Sequence, residues 1–170
     1  MTSRFAPRSA LEALQRHGVR FVLIGGMAGR AWGSTTVTHD LDVCYDRTAD
    51  NLERLAAALE ELDARLRGVD DDVPFLLDAK TLERGQNFTF DTAAGALDVL
   101  ALPAGTGGFD ELMANATLLD LGQDLVVPVC DLGDLIRMKR AAGRPKDRIE
   151  LEVLAAVREE REALGLAGTE

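Results

Sequence analysis

Three carboxylates in this sequence have the types and spacing to do chemistry: Asp40 and Asp42, separated only by Leu41, and Asp98 within Leu97-Asp98-Val99. Side chains alternate along an extended strand, so Asp40 and Asp42 project from one face while Leu41 and Val43 turn into the core. Two like charges held that close repel each other unless a cation joins them. An all-oxygen donor set suits a hard dication, so the pair predicts Mg2+ or Mn2+, with Asp98 supplying a third ligand from a neighbouring strand. Such a centre fits phosphoryl transfer, in which charge builds on attacking, leaving and phosphoryl oxygens together, and two metals ~3.5–4 Å apart stabilise both ends of the displacement.

Upstream, Gly25-Gly26 follows the apolar run Phe21-Val22-Leu23-Ile24, and thirteen residues separate the glycine pair from Asp40. Glycines at a strand-to-helix turn let backbone N–H groups approach a phosphate, and a helix starting near Met27 points its positive end the same way. Ser34, Thr35 and Thr36 are short donors able to touch the same phosphates. Taken singly, each feature has a plainer reading: a Gly-Gly pair is more often a tight turn, and Asp-x-Asp on a strand is as often a surface feature. Their joint order, with apolar residues bracketing each carboxylate, favours the chemical reading, because solvated carboxylates need no such brackets. Further along, Lys139 is a compact cation suited to a phosphate, and Arg144 or Lys146 stands at a helix start that could face the same anion. The plain alternative there is a solvated basic helix end. Alternation along the strand turns His39 away from both aspartates.

Hydrophobic periodicity supplies the elements that must position these groups. Ser9 to His17 has helical spacing and stops at Gly18; Phe21 to Ile24 and Asp40 to Tyr45 read as strands around a short helix, Met27 to Trp32. Thr48 caps an amphipathic helix to about Leu62, and Asp70-Asp71-Asp72 marks a solvated loop that lacks a calcium-binding pattern. Asn87 to Thr92 and Ala96 to Leu102 form a hairpin, and Phe109 to Ala116 a helix. Leu118 to Leu121 and Leu125 to Cys130 follow as short strands, then a helix from Asp131 to Ala142, and a last one opened by Pro145 and running to about Ala163. Strands interspersed with helices imply a mixed sheet with helices packed on it.

A length of 170 residues fits one domain, 1–170, with a C-terminal helical segment at about 131–163. Hydrophobic residues make up 46% and charged residues 28%, at a mean hydropathy of -0.02, which excludes a disordered tail. No apolar run is long enough to cross a membrane and no secretory leader is evident, so the expected location is the cytoplasm. Cys44 and Cys130 sit in apolar runs away from other ligands and read as reduced core residues. The net charge of -10 argues against nonspecific coating of nucleic acid. Basic charge collects at the two ends: five Arg to one Glu in residues 1 to 38, and six Lys or Arg to one Asp in residues 137 to 148. Between them, residues 39 to 136 carry six basic and 21 acidic residues. If the basic ends meet in space, they face an anion across the acidic site.

Phe21 to Tyr45 and Gly95-Ala96-Leu97-Asp98-Val99-Leu100 together resemble the signature of the minimal nucleotidyltransferases of the polymerase-beta superfamily: a glycine pair, a spacer of this length, an Asp-x-Asp and a later single carboxylate. Leu135 to Asp147 resembles the Lys…Arg-x-x-Asp segment of the abortive-infection type members, several of which are toxins of toxin–antitoxin pairs. The resemblance implies an α/β (α+β) polymerase-beta-like fold, a mixed sheet flanked by helices. It implies metal-dependent transfer of a nucleoside monophosphate from a nucleoside triphosphate such as ATP to a tRNA or other RNA, or to a protein, with a cognate antitoxin as partner. Asp40, Asp42 and Asp98 would bind Mg2+ or Mn2+, Asp98 alternatively helping to activate the acceptor, and Lys139 and Asp147 would belong to the active site. Trp32 could cover the nucleobase, although a core or interface position suits it better.

One departure weakens the toxin branch: where such toxins often carry a further Asp three residues after the first, this chain has Glu150. Two other readings stay open. Aminoglycoside-modifying enzymes share the fold and act on small molecules, but their acceptor sites usually need an extra helical domain, and only about 30 residues follow Asp134 before the tail. A nucleotidyltransferase fold can also survive as an inactive binding module, against which the presence of all three carboxylates counts. The middle, Asp46 to Arg84, is generic.

Overall fold

The computed structural model describes residues 4–166. Helix α1 (Pro7–Arg16) leads into β1 (Phe21–Ile24), a strand buried at every position. The next helix, α2, runs Gly25–Trp32, so it starts at the glycine pair itself and not near Met27. Strand β2 (Asp40–Tyr45) follows, then α3 (Ala49–Glu61), β3 (Arg65–Leu66), α4 (Ala79–Arg84), β4 (Asn87–Thr92) and β5 (Gly95–Leu100). Helix α5 (Phe109–Asn115), strands β6 (Thr117–Asp120) and β7 (Val126–Val129), and helices α6 (Leu132–Ala142) and α7 (Pro145–Ala163) complete the order.

The seven strands form one mixed sheet in the order β3-β4-β5-β2-β1-β7-β6. β2 lies antiparallel to β1 and parallel to β5, while β4 returns antiparallel along β5. The centre of this sheet therefore carries the three strand segments that hold chemistry. Its apolar faces are supplied by alternation: Leu41 and Val43 on β2, and Leu97 and Val99 on β5, are essentially inaccessible. Helices pack on the sheet, with α1 against α3, α3 against α4, and α6 against both α2 and α7. α6 is capped by Asp131, whose side chain accepts from Gly133 N at 2.9 Å, and ends at Gly143 in the left-handed conformation that glycine adopts without strain.

Two elements have no anticipated counterpart. β3 is two residues long, too short for a periodic signal. α4 is a six-residue helix whose one clear mark is Asp78, accepting from Thr81 N at 2.8 Å. The acidic run Asp70-Asp71-Asp72 is exposed, as a solvated turn should be. Among the described residues no helix is long and apolar enough to cross a membrane.

Candidate active site

Register alone brings the carboxylates together. Ile24 is paired with Asp42 across β1 and β2, Asp42 with Asp98 across β2 and β5, and Asp98 with Thr89 across β5 and β4. Residues directly opposite one another project from the same face, so Asp42 and Asp98 are immediate neighbours, and Asp40 lies two residues along β2 on that face. All three are partly accessible at the edge of a closed apolar core.

The glycine pair makes room for them. Gly25 has φ +69, and a Cβ there would stand 2.1 Å from Asp42 Oδ2. A Cβ at Gly26 would stand 2.8 Å from Thr38 Oγ1. Both values are far inside van der Waals contact, so the α2 N-terminus touches the β2 carboxylate only because these two residues lack side chains. Thr38 in turn donates from Oγ1 to the Asp40 carbonyl at 3.1 Å and fixes the start of β2.

Crowding decides the electrostatics. Burial, reinforced by the nearby Asp98 and Asp40 carboxylates and opposed by Lys139, pushes the Asp42 carboxyl up to about 7. Burial also raises Asp98, against the opposing pull of the Arg67 guanidinium. Asp42 and Asp98 stand side by side, and their contact favours a proton on Asp42 and a charge on Asp98. A shared proton is how two desolvated carboxylates tolerate contact when no other cation is present. The donor chemistry, oxygen only and like-charged, fits a hard dication in place of that proton. The side chains are not pre-arranged as a ligand cage: among the described residues no three His, Cys, Asp or Glu groups stand together as a metal site.

One reason is Arg67, a residue whose sequence neighbours carry no motif that would single it out. Its guanidinium donates to Asp98 Oδ1 at 3.0 Å, to the Phe90 carbonyl at 2.8 Å and to Asp91 Oδ1 at 3.1 Å. Arg67 follows the two-residue β3, so only the sheet topology brings it beside Asp98.

The cations come from the turn between α6 and α7. Asp147 is buried, accepts from the Arg144 backbone N–H at 3.1 Å and from Arg144 Nε at 2.8 Å, and lies 3.5 Å from Lys139 Nζ. This one carboxylate caps α7 and holds two cations. Burial pushes the Asp147 carboxyl up, yet its bonds to Arg144 outweigh this and hold it below the usual carboxylate range. The Arg-x-x-Asp spacing thus has a local cause: three residues is the reach of a first-turn side chain back to the cap.

Two cavities meet at these groups. A polar cleft of about 510 Å³ is lined by Gly26, Thr36, Asp40, Lys146 and Asp147, among others, and a more apolar chamber of about 370 Å³ opens between β4 and α6. Asp42, Asp98, Lys139 and Arg144 line both, and Gly25 lines the chamber. Three placements differ from the sequence reading. Ser34 is buried, with its hydroxyl accepting from Thr36 N at 3.2 Å, and Thr35 points into solvent, so neither lines a cavity. His39 precedes β2, where strand alternation does not apply, and it lines the polar cleft. Arg8 pairs with Glu12, Arg16 with Glu61 and Arg20 with Asp46, Arg30 donates to the Thr36 carbonyl at 3.2 Å, and none of these lines the cleft, so its Lys and Arg side chains come from α6, α7 and the turn between them. Trp32 donates Nε1–H to the Cys130 carbonyl at 2.8 Å and carries Arg161 4.7 Å above its ring, away from the carboxylates. Both cysteines are free and buried, and burial raises the Cys44 thiol to about 12.

Sheet order and helix placement define the polymerase-beta-like nucleotidyltransferase fold, and the carboxylate row sits at its centre. Solved structures share it. A protein of Thermotoga maritima assigned as a nucleotidyltransferase superposes with a TM-score of 0.54 at 14% identity, covering 85% of this chain and 87% of that one. ANT(2'')-Ia, solved with adenylyl-2''-tobramycin, superposes at 0.60 with 16% identity over 94% of this chain and 91% of its own. The lincosamide antibiotic adenylyltransferase LnuA, lincomycin-bound, superposes at 0.58 with 14% identity over 88% and 94%. No protein-family model and no curated protein sequence matches the chain.

Proposed function

We propose that the protein is a metal-dependent nucleotidyltransferase that moves a nucleoside monophosphate from a nucleoside triphosphate to an acceptor hydroxyl. The observation that carries this reading is the contact of Asp42 with Asp98 beside Gly25, facing Lys139 and Arg144 across shared cavity walls. Asp40 and Asp42 hold Mg2+ or Mn2+, with Asp98 as third ligand or as the base for the acceptor. When bound, the dication neutralises charge on the phosphoryl oxygens and the departing pyrophosphate. The polar cleft takes the triphosphate: Gly26 offers a backbone N–H from the cleft wall and Gly25 one from the adjoining chamber, both at the α2 N-terminus, Thr36 a hydroxyl, and Lys139, Arg144 and Lys146 positive charge. Asp147 acts through Lys139 and Arg144, holding them in place.

In the transfer step the acceptor oxygen attacks the α-phosphorus, the bond from that phosphorus to the bridging oxygen of the β-phosphate breaks, and pyrophosphate leaves. The acceptor proton passes to Asp98, whose charged form is favoured by Arg67. A small-molecule acceptor is favoured by the chamber beside Asp98 and by the near-complete coverage of two antibiotic-modifying adenylyltransferases, which removes the objection that such acceptors need an added domain. The second reading keeps tRNA or a protein as acceptor and a toxin role with a cognate antitoxin. It is carried by the basic segment 137 to 148. Calorimetric titration with ATP or CTP in Mg2+ tests the proposal: binding that needs the metal and vanishes in Asp42→Ala supports it, and indifference to both ligands leaves an inactive binding module. Labelled triphosphate incubated with a cell lysate then separates the acceptors, by whether small molecules, RNA or polypeptide become labelled.

A further inference from the structure

Resting on that reading, we infer that the acceptor is a compact, uncharged hydroxyl compound with a large apolar face, bound in the chamber between β4 and α6. The chamber is walled by Ile24, Phe88, Leu100, Pro103, Leu135 and Met138, with Asn87 and Thr89 as its uncharged polar groups. Its volume of about 370 Å³ lies within the ~300–1,000 Å³ usual for small-molecule sites, and a mostly apolar lining with a few polar groups is their usual composition.

Position within the site assigns the chamber to the acceptor and not to the nucleotide. Gly26, Thr36 and Lys146 line the polar cleft and are absent from the chamber walls. The chamber instead runs from Ile24 and Gly25 past Asp42 and Asp98 to Asn87 and Thr89, so it reaches Asp98 from the β4 side, whereas the cleft reaches it from Gly26 and Lys146. A hydroxyl entering from here reaches Asp98 and, beyond it, the α-phosphate beside Asp42. Phe88 borders the chamber from β4, with its ring turned to the opposite face of the sheet, over Gly85, where an added Cβ would stand 2.3 Å from Phe88 Cζ, and stacked on Phe90 with centroids 6.0 Å apart.

Charge excludes a polyamine. Among the described residues the carboxylates on the chamber walls are Asp42 and Asp98, which stand side by side, and Asp98 is bound to Arg67. Lys139 and Arg144, themselves held by Asp147, also line it, so the walls set two cations against two carboxylates and offer a multiply protonated acceptor no net negative charge. An apolar, uncharged body loses nothing to desolvation there and fills the Leu135 and Met138 wall.

Ala104, exposed on the rim of the chamber, allows the site to be filled without disturbing the core. Binding of methyl 4,6-O-benzylidene-glucopyranoside, a neutral diol with an aromatic face, and of tobramycin, a polyamine, is measured calorimetrically on the full chain with and without saturating ATP and Mg2+. The same titrations are made on Ala104→Trp, with circular dichroism confirming its fold. The neutral diol should bind wild type with or without the nucleotide and lose at least about tenfold in affinity in Ala104→Trp. ATP affinity should stay within about twofold in that variant. Three results overturn the inference: tobramycin binding that Ala104→Trp abolishes, no binding of the diol at about 10 mM, or a tenfold loss of ATP affinity in Ala104→Trp, which would place the nucleobase in the chamber. Failure of wild type to bind any of ATP, CTP, GTP or UTP with Mg2+ is a different outcome and removes the nucleotidyltransferase reading itself.

Discussion

Substituting Gly25 by alanine is the sharpest test of how the carboxylate row is built. The added Cβ would stand 2.1 Å from Asp42 Oδ2 and 2.9 Å from its Cβ and Cγ. Ordinary contact needs well over 3 Å, so Asp42 has to withdraw by about 1 Å or the α2 N-terminus has to lift by as much. A displacement of about 1 Å at reacting groups costs on the order of a hundredfold in rate. The backbone contributes separately: φ is +69 at Gly25, and an L-residue there costs about 1–2 kcal/mol. Gly68 is a matched control, with φ +76 and nothing within 4 Å of its added Cβ, so Gly68→Ala carries the backbone cost without the collision. Urea unfolding should show Gly68→Ala destabilised by about 1–2 kcal/mol and Gly25→Ala by more, since the collision adds to the backbone cost. Calorimetry should show metal-dependent triphosphate affinity reduced at least about tenfold in Gly25→Ala alone, with labelled-nucleotide transfer down about a hundredfold. Equal triphosphate binding and transfer in the two variants would refute the claim that an empty Cβ position seats Asp42.

Other outcomes follow from the same contacts. Arg67→Ala should lower transfer about tenfold to a hundredfold while triphosphate affinity stays within about threefold, with Arg67→Lys recovering part of the loss; an affinity loss as large as the rate loss would show that Arg67 serves the nucleotide and not Asp98. Because the folded state holds the Asp42 proton more tightly than the unfolded chain does, metal-free protein should lose stability as pH rises from about 4 toward about 7. Melting temperatures should record that decline, flattened in Asp42→Asn and reversed by added Mg2+; a flat wild-type profile would contradict the crowding of the carboxylates. Asp147 has the opposite sign: its depressed carboxyl stabilises the fold above the carboxylate range, and that stability is lost on acidification. Asp147→Asn should therefore cost about 1–3 kcal/mol at neutral pH by urea unfolding, and the difference from wild type should shrink as the pH falls below the ordinary carboxylate value of about 4.

The parts of the site legible in the sequence are those set by local rules. Strand alternation put Asp40 and Asp42 on one face, and the flanking apolar residues marked β5 around Asp98. Pro145 and Gly143 marked the start of α7 and the end of α6. What escaped depends on contacts distant in sequence. Arg67 meets Asp98 across 31 positions and sits beyond a two-residue strand with no periodicity to read. The fate of Ser34 was equally hidden: a short polar side chain in a loop reads as a ligand donor, but here it folds under and closes the loop on Thr36. His39 failed although the strand bounds, Asp40 to Tyr45, agree with β2, because alternation was carried one residue ahead of the strand, where it does not apply.

Asp147 ties two events into one. The residue that nucleates the first turn of α7 is also the counterion of Lys139 and Arg144, so the anion-binding wall and the helix start assemble in the same step. A chain emerging from the ribosome gains its glycine turn and acidic row early, at residues 25 to 98, yet lacks the opposing charge until Asp147 has been synthesised and seated. On the proposed reading, a copy that ends before Asp147 has Arg67 to face Asp98 but no seat for Lys139 and Arg144, so the grip on a triphosphate comes only with α7.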